Sequence, residues 1–93
     1  MVPYSAIESM GLLVTSMVHD SIDAFIDQNG DLARAVIDRD DEVDELYHVT
    51  FRALLEQMRE DPDNIHRGIQ LQAVVKFLER MGDHSTNLAE QAI

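Results

Sequence analysis

The chain contains no cysteine and no tryptophan. Missing thiols remove disulfides, thiolate zinc centres and thiol nucleophiles together, and their absence suits a reducing, cytoplasmic setting. Basic residues are scarce: 7 Lys and Arg stand against 18 Asp and Glu, a formal net charge of −11. So acidic a surface repels phosphate backbones and anionic lipid headgroups, which argues against nucleic-acid binding. Cations, or proteins with basic patches, are the favourable partners. Long apolar runs are lacking too. The piece from Met10 to Val18 is interrupted by Gly11, Thr15 and Ser16 and followed by His19 and Asp20, far short of the ~20 apolar residues of a spanning helix. The Met1-Val2-Pro3-Tyr4-Ser5 opening has no basic region and no small-residue cleavage site, so neither a leader nor direct membrane insertion is expected. No Gly-rich phosphate loop and no Ser-His-Asp arrangement is legible, and no enzymatic activity is expected.

What is present favours helix. With 93 residues, residues 1–93 form a single domain. A core of that size is marginal, and with disulfides excluded a metal or oligomerisation remains as the staple. The hydrophobic content of 45% is enough for a folded chain. Punctuation is sparse: 2 prolines and 4 glycines. Gly30, after Asn29, suits a left-handed helix end, and Asp31 is placed to cap the next helix. Pro62, within Asp61-Pro62-Asp63-Asn64, cannot continue a helix. These signals predict helices over about 4–28, 32–60 and 64–92.

Each segment has an apolar seam at helical spacing. The first holds Ile7, Met10, Val14, Met17, Ser21 and Ala24, widened by Val18 and Phe25. The second holds Val36, Val43, Leu46, Tyr47, Thr50 and Leu54. The third runs through Leu71, Val74, Val75, Leu78, Met81, Gly82, Ser85, Leu88, Ala89 and Ala92, with small residues that invite close approach near its end. Met10, Met17, Met58 and Met81 fit as core fillers. Two short connections between rods of ~40 Å give an all-α fold, an antiparallel up-down-up three-helix bundle with spectrin-like packing. The third helix shows no stop signal, so the natural domain is expected to extend further.

The run Asp38-Arg39-Asp40-Asp41-Glu42-Val43-Asp44-Glu45 is too acidic for spacing alone to mean much. Heptad rows say more. Ala33, Asp40, Tyr47, Leu54 and Ile37, Asp44, Phe51, Met58 are apolar rows that Asp40 and Asp44 interrupt. Asp38 and Glu45 instead share a row with Arg52 and Arg59, as solvated charges do. Glu79 and Asp83 are again i,i+4 neighbours, their Cβ atoms ~5–6 Å apart. Desolvated carboxylates so placed must take protons, cations or a metal. All-oxygen ligands suit hard cations such as magnesium, manganese or iron. The competing reading is a set of rim charges paired with Arg39, Lys76 or Arg80.

Two stretches bear on the choice. Asp40-Asp41-Glu42-Val43-Asp44-Glu45-Leu46-Tyr47 and Leu78-Glu79-Arg80-Met81-Gly82-Asp83-His84-Ser85-Thr86-Asn87-Leu88-Ala89-Glu90 resemble the paired acidic signatures of the PhoU family of phosphate-uptake regulators. The likeness extends through Met10-Gly11 and the Glu60-Asp61-Pro62 turn. It implies half of a tandem pair of three-helix bundles, most like the C-terminal one. It also implies a metal site, with a multinuclear iron cluster in some members, whose ligands here would be Asp40, Asp44, Glu79 and Asp83. The implied partners are the phosphate ABC transporter ATPase and a sensor histidine kinase, at the cytoplasmic side of the inner membrane. With the sister bundle missing, a homodimer is expected to replace it. The alternatives are a metal-free helical dimerisation or scaffold domain, or the cytoplasmic PhoU-like tail of a phosphate transporter.

His84, Asn87 and Glu90, beyond the acidic pair of the second stretch, are either groups that orient the metal-binding carboxylates or solvated surface residues. Glu45-Leu46-Tyr47-His48 matches half of a di-iron carboxylate motif. Such oxidases need two copies and two further Glu over four helices, and only one copy exists.

Overall fold

The computed structural model describes residues 4–93, so the reading of the Met1-Val2-Pro3 opening lies outside the described residues. The first helix, α1, spans Tyr4–Asp27 and buries Met10, Val14, Met17, Ser21 and Ala24, the expected seam. Ser21 is tolerated there because its hydroxyl donates to the Val18 carbonyl at 2.8 Å. Phe25, expected to widen the seam, is instead 44% exposed. Ala24 fills the last buried position before the chain turns away.

That turn corrects the sequence reading. The left-handed residue is Gln28, at φ 53°, and no glycine takes a positive φ. The Asn29 amide reaches back to the Ala24 carbonyl at 2.9 Å, closing α1 in a Schellman-type turn. Asn29 rather than Asp31 caps the next helix, its side-chain oxygen accepting from the Leu32 amide at 3.1 Å. Gly30 merely opens helix α2, Gly30–Asp38.

The helix expected over about 32–60 is divided in two. Helix α3 begins at Asp40 and runs to Glu60, and Arg39 lies between it and α2. At the break the Arg39 amide bonds to the Val36 carbonyl at 3.1 Å, a tightened turn. Two forces favour a division here. Asp40, Asp41 and Glu42 fall in the first turn of α3, where the helix dipole stabilises negative charge. The Arg39 guanidinium is drawn to α1, 2.8 Å from Asp20 and 3.2 Å from the Ser16 hydroxyl.

Beyond Glu60, Asp61 accepts from the Asp63 amide at 3.0 Å and Pro62 opens a single 3-10 turn, Pro62–Asn64. The last helix, α4, spans Ile65–Glu90. Three rods result: α1, α2 with α3, and α4. The Arg67 side chain at the start of α4 donates to the Tyr4 hydroxyl at the start of α1, at 2.6 Å. Met58 near the end of α3 lies against Gly68, where a Cβ would come within 2.5 Å of the Met58 Cγ. Around Gly82 all three rods converge. A Cβ there would sit 3.4 Å from Val43 and 3.8 Å from Val14. The small residues Gly82, Ser85, Ala89 and Ala92 are buried as expected, but Val74 is 46% exposed on the flank of α4. The bundle measures 50 × 16 × 16 Å.

Candidate metal centre

Asp40 opens α3, half-buried, and Glu79 lies half-buried on α4. Each has its i,i+4 partner one turn on, Asp44 and Asp83, both exposed. Its apolar row predicts shelter for Asp44, yet its side chain is 63% accessible. Ile37, Phe51 and Met58 of the same row stay half-buried, so Asp44 alone carries its charged end out to solvent.

The two pairs act on each other across the helices. Burial raises the pKa of Asp40 most, followed by the negative charges of Asp83, Asp44 and Asp41. The Thr86 hydroxyl works in the opposite direction, as a hydrogen-bond partner for the ionised form. Glu79 is raised too, first by burial, then by the charge of Asp83, by a hydrogen bond with it, and by Asp44 and Asp40. A carboxyl of α3 thus feels α4, and one of α4 feels both acids of α3. All four belong to one acidic face.

Among the described residues, no Lys or Arg makes a salt bridge with that face. Among the described residues, Asp40, Glu79 and Asp83 make no ion pair, and Asp44 has only the His48 ring at 3.5 Å. Arg39, one of the expected partners, is committed to Asp20. Lys76 and Arg80 make no salt bridge among the described residues. The donor set is therefore all oxygen and uncompensated, which is the chemistry a hard cation requires.

Thr86 was missed as a site residue. It lies seven positions after Glu79 in the row Ile65, Gln72, Glu79, Thr86, and that register could have revealed it. Its hydroxyl also bonds back to the Gly82 carbonyl at 3.1 Å. Asn87 and Glu90 are exposed further along α4. His84 is exposed and lines an apolar groove with Val18, Ile22, Met81 and Leu88, between α1 and α4.

A second group of potential ligands lies on α1. His19, Asp20 and Asp23 bring ligand atoms within 4.8 Å of one another, the only such trio among the described residues. Asp20 already holds Arg39, whose charge opposes a cation there. The four carboxylates of α3 and α4 stand more openly spaced than that trio.

With this geometry in place, the PhoU domain pattern matches residues 7–92. The chain belongs to the PhoU family. A PhoU homologue of Clostridium acetobutylicum, named a phosphate-specific transport system accessory protein, is 45% identical over 85 residues, covering 91% of this chain and 39% of that protein. One from Aquifex aeolicus, named likewise, is 47% identical over 78 residues, covering 84% of this chain and 35% of its own length. The crystal structure of PhoU from Pseudomonas aeruginosa superposes with a TM-score of 0.94 at 37% identity, over 100% of this chain and 46% of that one. This PhoU chain thus spans less than half the length of these relatives. No helix among the described residues is long and apolar enough to cross a membrane.

Proposed function

We propose that this PhoU domain is a metal-binding regulatory adaptor of phosphate transport and phosphate-starvation signalling, working through protein contacts rather than catalysis. The observation that carries the reading is a set of four acidic side chains on α3 and α4, free of Lys or Arg partners among the described residues, in a chain 45% identical to a transport accessory protein. Asp40, Asp44, Glu79 and Asp83 would hold magnesium, manganese or iron, the last in mono- or multinuclear form. Asp44 and Asp83, being exposed, are free to turn toward an ion that Asp40 and Glu79 anchor. Thr86 would steady Asp40, and Asn87 and Glu90 extend the polar strip. When bound, the ion would tie α3 to α4 and stiffen an acidic docking face.

The rods are read as up-down-up. The starts of α1 and α4 meet at Tyr4 and Arg67, while the end of α3 meets the start of α4 at Met58 and Gly68. In this account the domain is one bundle of a tandem pair, or a single bundle that forms a homodimer. It sits in the cytoplasm, held at the inner membrane through the phosphate transporter ATPase and a sensor histidine kinase. A metal-free dimerisation module is the second reading, favoured by the apolar α4 flank where Val74 and Phe77 are 46% and 63% exposed.

Function is tested in a strain lacking its own PhoU homologue and carrying a phosphate-starvation reporter. The chain is expected to restore repression in high phosphate, and the D40N/E79Q variant to fail. Equal repression by both would contradict a role for the acidic face. No repression by either would contradict the adaptor reading of this chain.

A further inference from the structure

The residue next to Asp40 is an arginine, and it points elsewhere. Arg39 contacts Asp20 at 2.8 Å and Ser16 at 3.2 Å, both on α1. The side chains of Arg39 and Asp20 are 27% and 26% accessible, so water and salt screen this pair less than a surface one. The Arg39 hydrogen bond is the largest influence lowering the pKa of Asp20. Asp40, its neighbour in the chain, makes no ion pair with Arg39 among the described residues.

Arginine is long and flexible enough to reach a carboxylate on the neighbouring residue. A guanidinium turned to Asp40 would neutralise part of the acidic face and repel an incoming cation. Among the described residues, the one anionic contact Arg39 makes is Asp20. We propose that Asp20 is a positioning residue for the acidic face: by holding Arg39 against α1, it keeps Asp40, Asp44, Glu79 and Asp83 without an internal counter-charge. The inference rests on reading that face as a cation site. It adds a residue of α1, outside both acidic stretches, to the determinants of cation affinity. It also explains how a chain that places Arg39 beside its acidic site avoids silencing it.

The ion pair has a plain structural role as well, fixing the division between α2 and α3, and the test must separate the two. Manganese binding to the metal-stripped chain is measured by calorimetry for wild type, D20N, R39Q and D20N/R39Q, with helicity checked by circular dichroism. D20N frees Arg39 and is expected to weaken binding about tenfold, the scale of one well-placed charge. D20N/R39Q removes the freed cation and is expected to recover wild-type affinity, although the clamp is absent. R39Q alone is expected to bind at least as tightly as wild type, and it decides the matter should D20N fail to fold. Wild-type affinity in D20N, a double variant as weak as D20N, or weakened binding in R39Q would each overturn the inference. If wild type takes no manganese, the cation reading falls. The crystal structure of D20N still speaks to Asp20 itself: Arg39 turned onto Asp40 supports the inference, and Arg39 unmoved against Ser16 overturns it.

Discussion

Replacing Glu79 with glutamine should make the metal-stripped protein more stable, although the side chain is half-buried and on the edge of the core. Gln and Glu have nearly equal helix propensity and the same shape, so the substitution chiefly removes a charge. That charge is opposed by three neighbours, Asp83, Asp44 and Asp40. Each like-charge contact on a helical surface costs a few tenths of a kcal/mol, so the three together amount to about 1 kcal/mol. For a domain of this size that raises the melting temperature by ~4–8 °C. Calorimetry in a chelator at pH 7 and low salt reads the shift directly. Near 1 M salt the screening length falls to ~3 Å, and the difference between the two proteins should nearly vanish. Added manganese should reverse the order, because only wild type keeps all four ligands. E79Q melting at or below wild type in chelator, or a difference indifferent to salt, would refute the claim of unrelieved repulsion.

Acid should act in opposite senses on two parts of the molecule. Asp40 and Glu79 have raised pKa values when folded, so their contribution is fully present below the unfolded values of 3.8 and 4.5 and is lost as pH rises through the folded ones. Asp20 is lowered, and its contribution is lost as pH falls from 3.8 through its folded value. The stability advantage of E79Q over wild type should therefore shrink between pH 7 and pH 4, while D20N, a destabilised variant at pH 7, should converge on wild type only below that range. Gln28→Gly should stabilise the chain by roughly 1 kcal/mol, since φ 53° at Gln28 strains a residue with a Cβ; chemical denaturation measures it. Gly82→Ala should be neutral or stabilising, because its Cβ would meet Val43 at an ordinary 3.4 Å and alanine favours helix. Gly82→Leu should cost ~1–3 kcal/mol by forcing α1 and α3 away from α4, and a leucine variant as stable as wild type would contradict the close convergence there.

Apolar periodicity carried most of the bundle, because Met10, Val14, Met17, Val43, Leu54 and Val75 are buried where their spacing puts them. The division at Arg39 was not legible. Nothing in the local run from Gly30 to Glu60 forbids a continuous helix; the acids at 40–42 only favour a new start, and the added pull comes from Asp20 and Ser16, which only the fold brings near. The turn after α1 shows a related limit: Gly30 looked like the left-handed residue, but the hydrogen-bond pattern assigns that conformation to Gln28 and the cap to Asn29. Heptad rows single out Asp40 and Asp44 and spacing pairs Glu79 with Asp83, but only the family resemblance makes all four a ligand set, and the rows alone do not choose between solvated rim charges and a shared face. The choice depends on where Arg39, Lys76 and Arg80 point, which no row of the sequence records. Thr86 was visible in register with Glu79 but carries no charge to attract notice.

Everything here depends on the acidic edge formed by α3 and α4 taking up a hard cation. Isothermal titration of manganese into the metal-stripped chain, beside the fourfold variant D40N/D44N/E79Q/D83N, tests that most directly. Saturable binding by the wild type and none by the variant is the predicted result. Equal uptake by both proteins, with the trio His19, Asp20 and Asp23 left intact in each, would contradict it.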